Sequence, residues 1–123
     1  MPGRVSAVLF VKDLAKVAAF YSAVLRQPLV YRDTYHAVLR CGIFALDIHQ
    51  LPPETLPGNA SGSREQAAVK LSFPVDSIVR ARHVAAVHGG ALDPEPPRWV
   101  IEQQKICDGR DPEGNVFQLC EDD

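Results

Sequence analysis

The order of apolar and turn-forming segments along this chain repeats once. Sliding the second half back so that Leu71 falls on Ala7 also places Phe73 on Leu9, Val75 on Val11 and Ser77 on Asp13. Each half opens with a short apolar run, continues with a helical pattern and closes with three further strand-like segments. Few identities accompany the match, so what repeats is a supersecondary unit, β-α-β-β-β, rather than a sequence. Two such units predict an α+β domain: two four-stranded sheets, each with one side covered by its own helix. The opposite sides are then free to meet around a shared cleft. The expected organisation is one domain over 1–123, with module one at 4–50, a linker at 51–66 and module two at 67–121.

The elements follow from periodicity and punctuation. Val5 to Val11 is short and almost wholly apolar, as a buried strand is. Asp13 is placed to cap a helix whose apolar face is Leu14, Val17, Ala18, Tyr21, Val24 and Leu25. Pro28 stops it. Leu29 to Tyr31 and Tyr35 to Cys41 read as strands, parted by a turn at Arg32 to Thr34. Beyond Gly42, Ile43 to His49 alternates, with Phe44, Leu46 and Ile48 on one side and Ile43, Ala45, Asp47 and His49 on the other. Gln50 to Gln66, rich in Pro and Gly, has little to bury and reads as a linker. In the second half, Ala68 to Val75 is a strand, and Asp76 or Ser77 caps a helix reaching about His88 and ended by Gly89-Gly90. Ala91-Leu92 is a stub of strand, Asp93 to Arg98 is irregular and Trp99 to Cys107 is a strand. Asp108 to Asn115 is a turn, Val116 to Cys120 closes the sheet, and Glu121 to Asp123 is a solvated tail.

Composition excludes several classes. The 123 residues are 46% hydrophobic and 23% charged, and the net charge is -2, with 13 basic residues scattered among 15 acidic ones. No basic stripe points to nucleic acid and no polybasic cluster to a membrane surface. No apolar run approaches the length of a membrane span, and no signal peptide is read at the start of the chain. Cys41, Cys107 and Cys120 are odd in number and lack CxxC spacing, which predicts a reducing, cytoplasmic compartment and no thiolate zinc site.

Several motifs carry a resemblance. Asp111-Pro112-Glu113-Gly114-Asn115-Val116-Phe117-Gln118-Leu119 is similar to the last hairpin of the vicinal oxygen chelate superfamily, the glyoxalase/bleomycin-resistance/dioxygenase group. Phe10-Val11-Lys12-Asp13-Leu14, with Phe20-Tyr21 and Leu25, resembles that family's opening, although Arg26 stands where Gly is usual. Phe73-x-Val75-Asp76-Ser77 resembles the start of its second module, and Pro97-Arg98-Trp99 its Pro-Trp turn. The resemblance implies the fold but not the activity, because the superfamily holds isomerases, dioxygenases, thiol transferases, epimerases and metal-free drug-binding proteins.

The resemblance also implies four inward positions, one each on the first, fourth, fifth and eighth strands, where metal-dependent members place His, Gln or Glu. Here they fall on Ser6, Asp47, Lys70 and Gln118. That set is poor for a divalent cation: a cationic Lys, a weak Ser and a neutral Gln accompany one carboxylate. The expectation is therefore no metal cofactor, with a divalent metal as the alternative.

The strand alternation that turns Asp47 inward also exposes Ser6, Val8 and Phe10, then Ile43, Ala45 and His49, then Lys70 and Ser72, then Val116, Gln118 and Cys120. This mixed surface suits a small-molecule pocket. Lys70 is expected either to pair with Asp47 across it or to bind an anionic ligand group, and Trp99 to stack on a ligand or to pack. The candidate ligand-binding residues are Ser6, Val8, Phe10, Asp47, His49, Lys70, Ser72, Trp99 and Gln118. His36, on a face of the third strand that alternation does not fix, reads as ordinary sheet surface rather than as a base, and His88 suits a helix C-terminus. No phosphate loop or Ser-His-Asp spacing is present. The favoured reading is a small-molecule-binding protein that holds a drug or metabolite in metal-free clefts, and the resemblance implies a homodimer whose clefts are built from both chains. The alternatives are a lyase, isomerase or dioxygenase with an atypical metal site, and a non-catalytic structural or regulatory dimer.

Overall fold

A computed structural model describes residues 4–52, 68–94, 100–101 and 104–122. Most of the expected linker lies outside them, as do Pro97, Arg98 and Trp99. Module one runs β1 (Val5–Val11), α1 (Leu14–Leu25), β2 (Leu29–Arg32), β3 (His36–Cys41) and β4 (Phe44–Gln50). Module two runs β5 (Leu71–Pro74), α2 (Ile78–Val87), β6 (Ala91–Leu92), β7 (Val100–Ile101), β8 (Gln104–Arg110) and β9 (Val116–Asp122). The strand orders are β1-β4-β3-β2 and β5-β9-β8-β6, with β7 also on β8. In each sheet the first strand runs parallel to the last, β1 to β4 and β5 to β9. The other pairings are antiparallel. The tandem βαβββ architecture is the one the repeat predicts.

Most boundaries differ from expectation by a residue or two, and three differences are larger. β5 begins at Leu71 rather than Ala68, because its partner among the described residues, β9, begins at Val116 and the ladder opens at Leu71 opposite Phe117. The strand expected over Trp99 to Cys107 is divided. Val100 and Ile101 pair antiparallel with Lys105 and Gln104, so the two described parts of the expected strand run in opposite directions. The turn expected at Asp108 to Asn115 shrinks, since Asp108, Gly109 and Arg110 are strand residues paired with Gln118, Phe117 and Val116.

The tail is also corrected. Glu121 lies in β9, half-buried, and its carboxylate accepts the Ile78 backbone N–H at 2.6 Å. That N–H has no partner within α2, whose start is completed by the Ser77 hydroxyl accepting from the Arg80 N–H at 3.1 Å. The matching end of module one behaves alike: Gln50 Oε1, at the end of β4, accepts the Leu14 N–H at 2.9 Å, and Asp13 Oδ1 accepts the Lys16 N–H at 3.1 Å.

One continuous core joins the modules. α1 is buried on two sides, with Leu14, Val17, Ala18, Val24 and Leu25 accompanied by Phe20, which the periodic face did not include. Phe20 meets Phe117 of β9 edge to face at 5.8 Å between centroids, and Tyr21 meets Phe73 at 6.2 Å and Phe117 at 5.6 Å. The Arg80 guanidinium of α2 donates to the Ala23 carbonyl near the end of α1 at 3.2 Å. Gly90 is required where these elements close together, because a Cβ there would collide with the Phe20 ring and the Arg110 carbonyl.

The final turn clamps one module to the other. Asp111 is 3% exposed and accepts the Tyr21 hydroxyl at 2.9 Å. It also accepts the backbone N–H groups of Glu113 and Asn115 and the Asn115 side-chain amide. Glu113, held by that turn, reaches module one, where its carboxylate accepts the N–H groups of Lys12 and Asp13 at 2.8 to 3.0 Å.

Candidate binding faces

Because the covered sides of both sheets share one core, each sheet presents its other side outward. On the first sheet the open side carries Ser6, Val8 and Phe10 from β1 beside Ala45, Asp47 and His49 from β4. From β3 come His36, Val38 and Arg40, opposite His49, Asp47 and Ala45. Tyr31 of β2 lies opposite Val38. Val8 and Phe10 are 48% and 58% exposed, although neighbouring Val11 is fully buried.

The open side of the second sheet pairs Ser72 with Gln118, and Gln118 with Asp108 on the far strand. The Ser72 hydroxyl donates to Gln118 Oε1 at 3.0 Å. Lys70, just before β5, places its Nζ 2.7 Å from Asp108 Oδ2. Arg110 pairs with Asp93 at 3.2 Å. The ion pair expected between Lys70 and Asp47 is not formed: Asp47 accepts from the Arg4 guanidinium at 3.0 Å. The reason is the shared core, which puts Asp47 and Lys70 on different outward faces, each with a nearer partner of its own.

Ser6, Val8, Phe10, Asp47 and His49 are thus brought together on one face, and Lys70, Ser72 and Gln118 on the other. Trp99 lies outside the described residues. A separate recess of about 460 Å³ lies where Val24 to Gln27 meet Pro74 to Ser77, and no candidate residue lines it.

The four positions that the resemblance assigns to a metal do not fit one. Lys70 brings a positive charge held by Asp108, and Gln118 Oε1 is engaged by Ser72. Asp47 is neutralised by Arg4, and Ser6 is left as the remaining neutral oxygen. A divalent cation requires several converging lone pairs that are free to bind it, without a cation among them. Among the described residues no group of three or more His, Cys, Asp or Glu is placed to hold a metal. Burial pushes the thiols of Cys41 and Cys107 up from their usual value, the reverse of what a reactive thiolate needs.

Sequence reasoning passed over one cluster. His36 shares the first open face, its ring 4.6 Å from that of His49 and perpendicular to it, and His49 in turn meets Phe10 edge to face at 5.5 Å. Behind His36 stands Asp33. Its Oδ1 accepts the backbone N–H groups of Tyr35 and His36, both at 2.8 Å, and lies 3.2 Å from His36 Nδ1. Its Oδ2 accepts the Tyr31 hydroxyl at 2.6 Å. These bonds, the Tyr31 hydroxyl first, lower the carboxyl from 3.8 to about 2. The signal for the His pair was present in the sequence: Gly42 and Ile43 form the turn, and counting outward from Cys41 and Phe44 sets His36 against His49.

Comparison with known proteins bears on this geometry. The profile of the glyoxalase-like domain matches residues 6–120. Among functionally curated proteins none matches the sequence. Among solved structures, a glyoxalase/bleomycin resistance protein from Albidiferax ferrireducens is 22% identical, with 96% of this chain and 97% of that one covered at a TM-score of 0.70. A glyoxalase/bleomycin resistance protein/dioxygenase family enzyme from Burkholderia phytofirmans is 21% identical, with 94% and 95% covered at 0.69. The genomically encoded fosfomycin resistance protein FosX from Listeria monocytogenes is 18% identical, with 100% and 95% covered at 0.69. At these identities the likeness is one of fold.

Proposed function

The chain belongs to the glyoxalase-like domain family, and we propose that it is a small-molecule-binding protein whose clefts form, without a metal, between two copies of the chain. The observation that carries this reading is the division of the candidate site. Five residues occupy one outward face and three the other, so each chain holds two walls and closes neither. A second copy completes both clefts, each with Ser6, Val8, Phe10, Asp47 and His49 from one chain and Lys70, Ser72 and Gln118 from its partner. Val5, at the start of edge strand β1, and Val69, just before edge strand β5, are 65% and 75% exposed and supply apolar surface for that association.

The apolar wall of Val8 and Phe10 against a polar wall of Lys70, Ser72 and Gln118 suits a drug or metabolite with one apolar and one polar side. Lys70 shares its charge with Asp108, so an anionic ligand group competes with that carboxylate. An enzyme of the same fold using a metal needs donors that the four positions do not provide.

Sedimentation equilibrium and metal analysis of protein purified without chelator, with a thermal-shift screen of antibiotics and metabolites, test the reading together. The expected results are a dimer, well under one metal equivalent per chain, and at least one compound that raises the melting temperature by mass action. A monomer, or stoichiometric Ni, Zn, Mn or Fe, overturns it.

A further inference from the structure

We propose that His36, held by Asp33, is a proton acceptor for an acidic hydroxyl on a planar aromatic ligand whose ring packs against His49 and Phe10. This names a ligand class for one wall of the proposed cleft and rests on that reading. Three observations lead to it. First, a carboxylate beside Nδ1 accepts and cannot donate, so the bond to Asp33 fixes the proton of a neutral imidazole on Nδ1 and leaves a lone pair on Nε2. The Asp33 carboxylate is itself fixed by Tyr31 and by two backbone N–H groups. Second, among the described residues nothing hydrogen-bonds His36 Nε2 or either ring nitrogen of His49, and both rings lie on the open face. Third, the neighbouring surface is aromatic: His49 stands perpendicular to His36, and Phe10, 58% exposed, stands edge-on to His49. Perpendicular rings offer a flat ligand both an edge and a face to pack on.

A ligand for this surface needs an aromatic ring and an O–H that gives its proton to a neutral imidazole. Phenols with electron-withdrawing substituents meet both needs. In the bound state the phenolic O–H donates to Nε2. Full transfer leaves a phenolate oxygen and an imidazolium whose Nδ1–H stays on Asp33, and nothing is oxidised or reduced. The other charged groups around His36 are Arg40 on β3, the Arg4–Asp47 pair beside β4, and Arg32, whose Nε donates to the Asp33 carbonyl at 3.4 Å.

The probe is 4-nitrophenol, titrated into the full-length protein below the phenol's own titration midpoint and followed by its absorbance. 4-Nitroanisole, which keeps the ring and lacks the O–H, is the control. Wild type is expected to bind 4-nitrophenol at least tenfold more tightly than 4-nitroanisole and to shift the bound spectrum toward the phenolate. His36→Phe is expected to abolish that preference and the spectral shift while changing 4-nitroanisole affinity less than twofold. Asp33→Asn is expected to remove the spectral shift. Equal affinity for the two probes, or a preference that survives in His36→Phe, overturns the proposal. So does failure of 4-nitrophenol to bind. Sedimentation of the same samples separates the two readings: a dimer that ignores 4-nitrophenol overturns this ligand class alone, and a monomer overturns the cleft as well.

Discussion

Asp111 shows how a single residue carries more than its place in a turn requires. It is a charge buried with four hydrogen-bond donors around it, the arrangement in which an ionised group in a protein interior is tolerated. Replacing it with Ala strands the Tyr21 hydroxyl and the Asn115 amide, and a loss of about 2–4 kcal/mol is expected in urea unfolding. Tyr21→Phe leaves the carboxylate short of one donor and is expected to cost about 1.5–3 kcal/mol. Burial and then the Asp111 charge raise the Tyr21 phenol well above its usual 10. The sign of the pH effect follows. The folded state holds the phenolic proton more tightly than the unfolded state, so this stability is fully present below the unfolded value of about 10 and is lost as pH rises toward the folded one. Melting temperature measured at pH 8 and above is expected to be level at first and then to fall, with a shallower alkaline fall in Tyr21→Phe. An equal fall in both proteins contradicts this role for Tyr21.

Among the elements, α1 is the one that its own sequence described least completely. Its periodic face predicted burial on one side, and that side is buried, with Tyr21 reaching Phe73 and Phe117 of module two. Phe20 lies off that face and is fully buried because module two covers it, a tertiary contact invisible to helical periodicity. The end of α1 is a second case. Arg26 takes the left-handed conformation with φ 55, where a side chain costs about 1–2 kcal/mol and Gly would cost nothing locally. Arg26→Gly relieves that strain, but Gly also loosens the unfolded chain. The net expected gain is about 0.5–1 kcal/mol, read from the shift of the urea midpoint. A loss of stability instead shows that the Arg26 side chain contributes more than its strain costs. The strands teach the same lesson. Alternation in β1 and β4 gave the two sides, because each strand has one side on the core, but Ala45, expected to be exposed, is fully buried between its cross-strand neighbours Ser6 and Arg40. Asp108-Gly109-Arg110 looked like turn residues, but β9 pairs with all three, and Gly109 is where Leu92 and Phe117 leave no room for a side chain. The β-α-β-β-β order was legible because it depends on local pattern. The partners of Lys70 and Asp47 were not, because they depend on which sides of the two sheets share a core.

At the scale of the whole molecule, that choice of shared side decides how a ligand site can be built. A cleft folded within one chain would set both walls on the same polypeptide. The proposed dimer is the opposite case: one wall from each chain, and two clefts per dimer. The two arrangements give different results when damaged chains are mixed. Val8→Trp fills the first wall, and Ser72→Trp fills the second. Both positions are exposed, so either variant is expected to fold. In a homodimer of either variant both clefts contain one blocked wall, and neither binds a compound that stabilises wild type. In a heterodimer, purified through two different tags, one cleft receives both blocked walls and the other receives both native ones. The expected stoichiometry by calorimetry is therefore one ligand per heterodimer, half the wild-type value, with native affinity at the site that remains. If both walls belonged to one chain, every chain of the heterodimer would carry a blocked wall, and no binding would return. Restored binding at half stoichiometry is a result that only the cleft shared between chains produces.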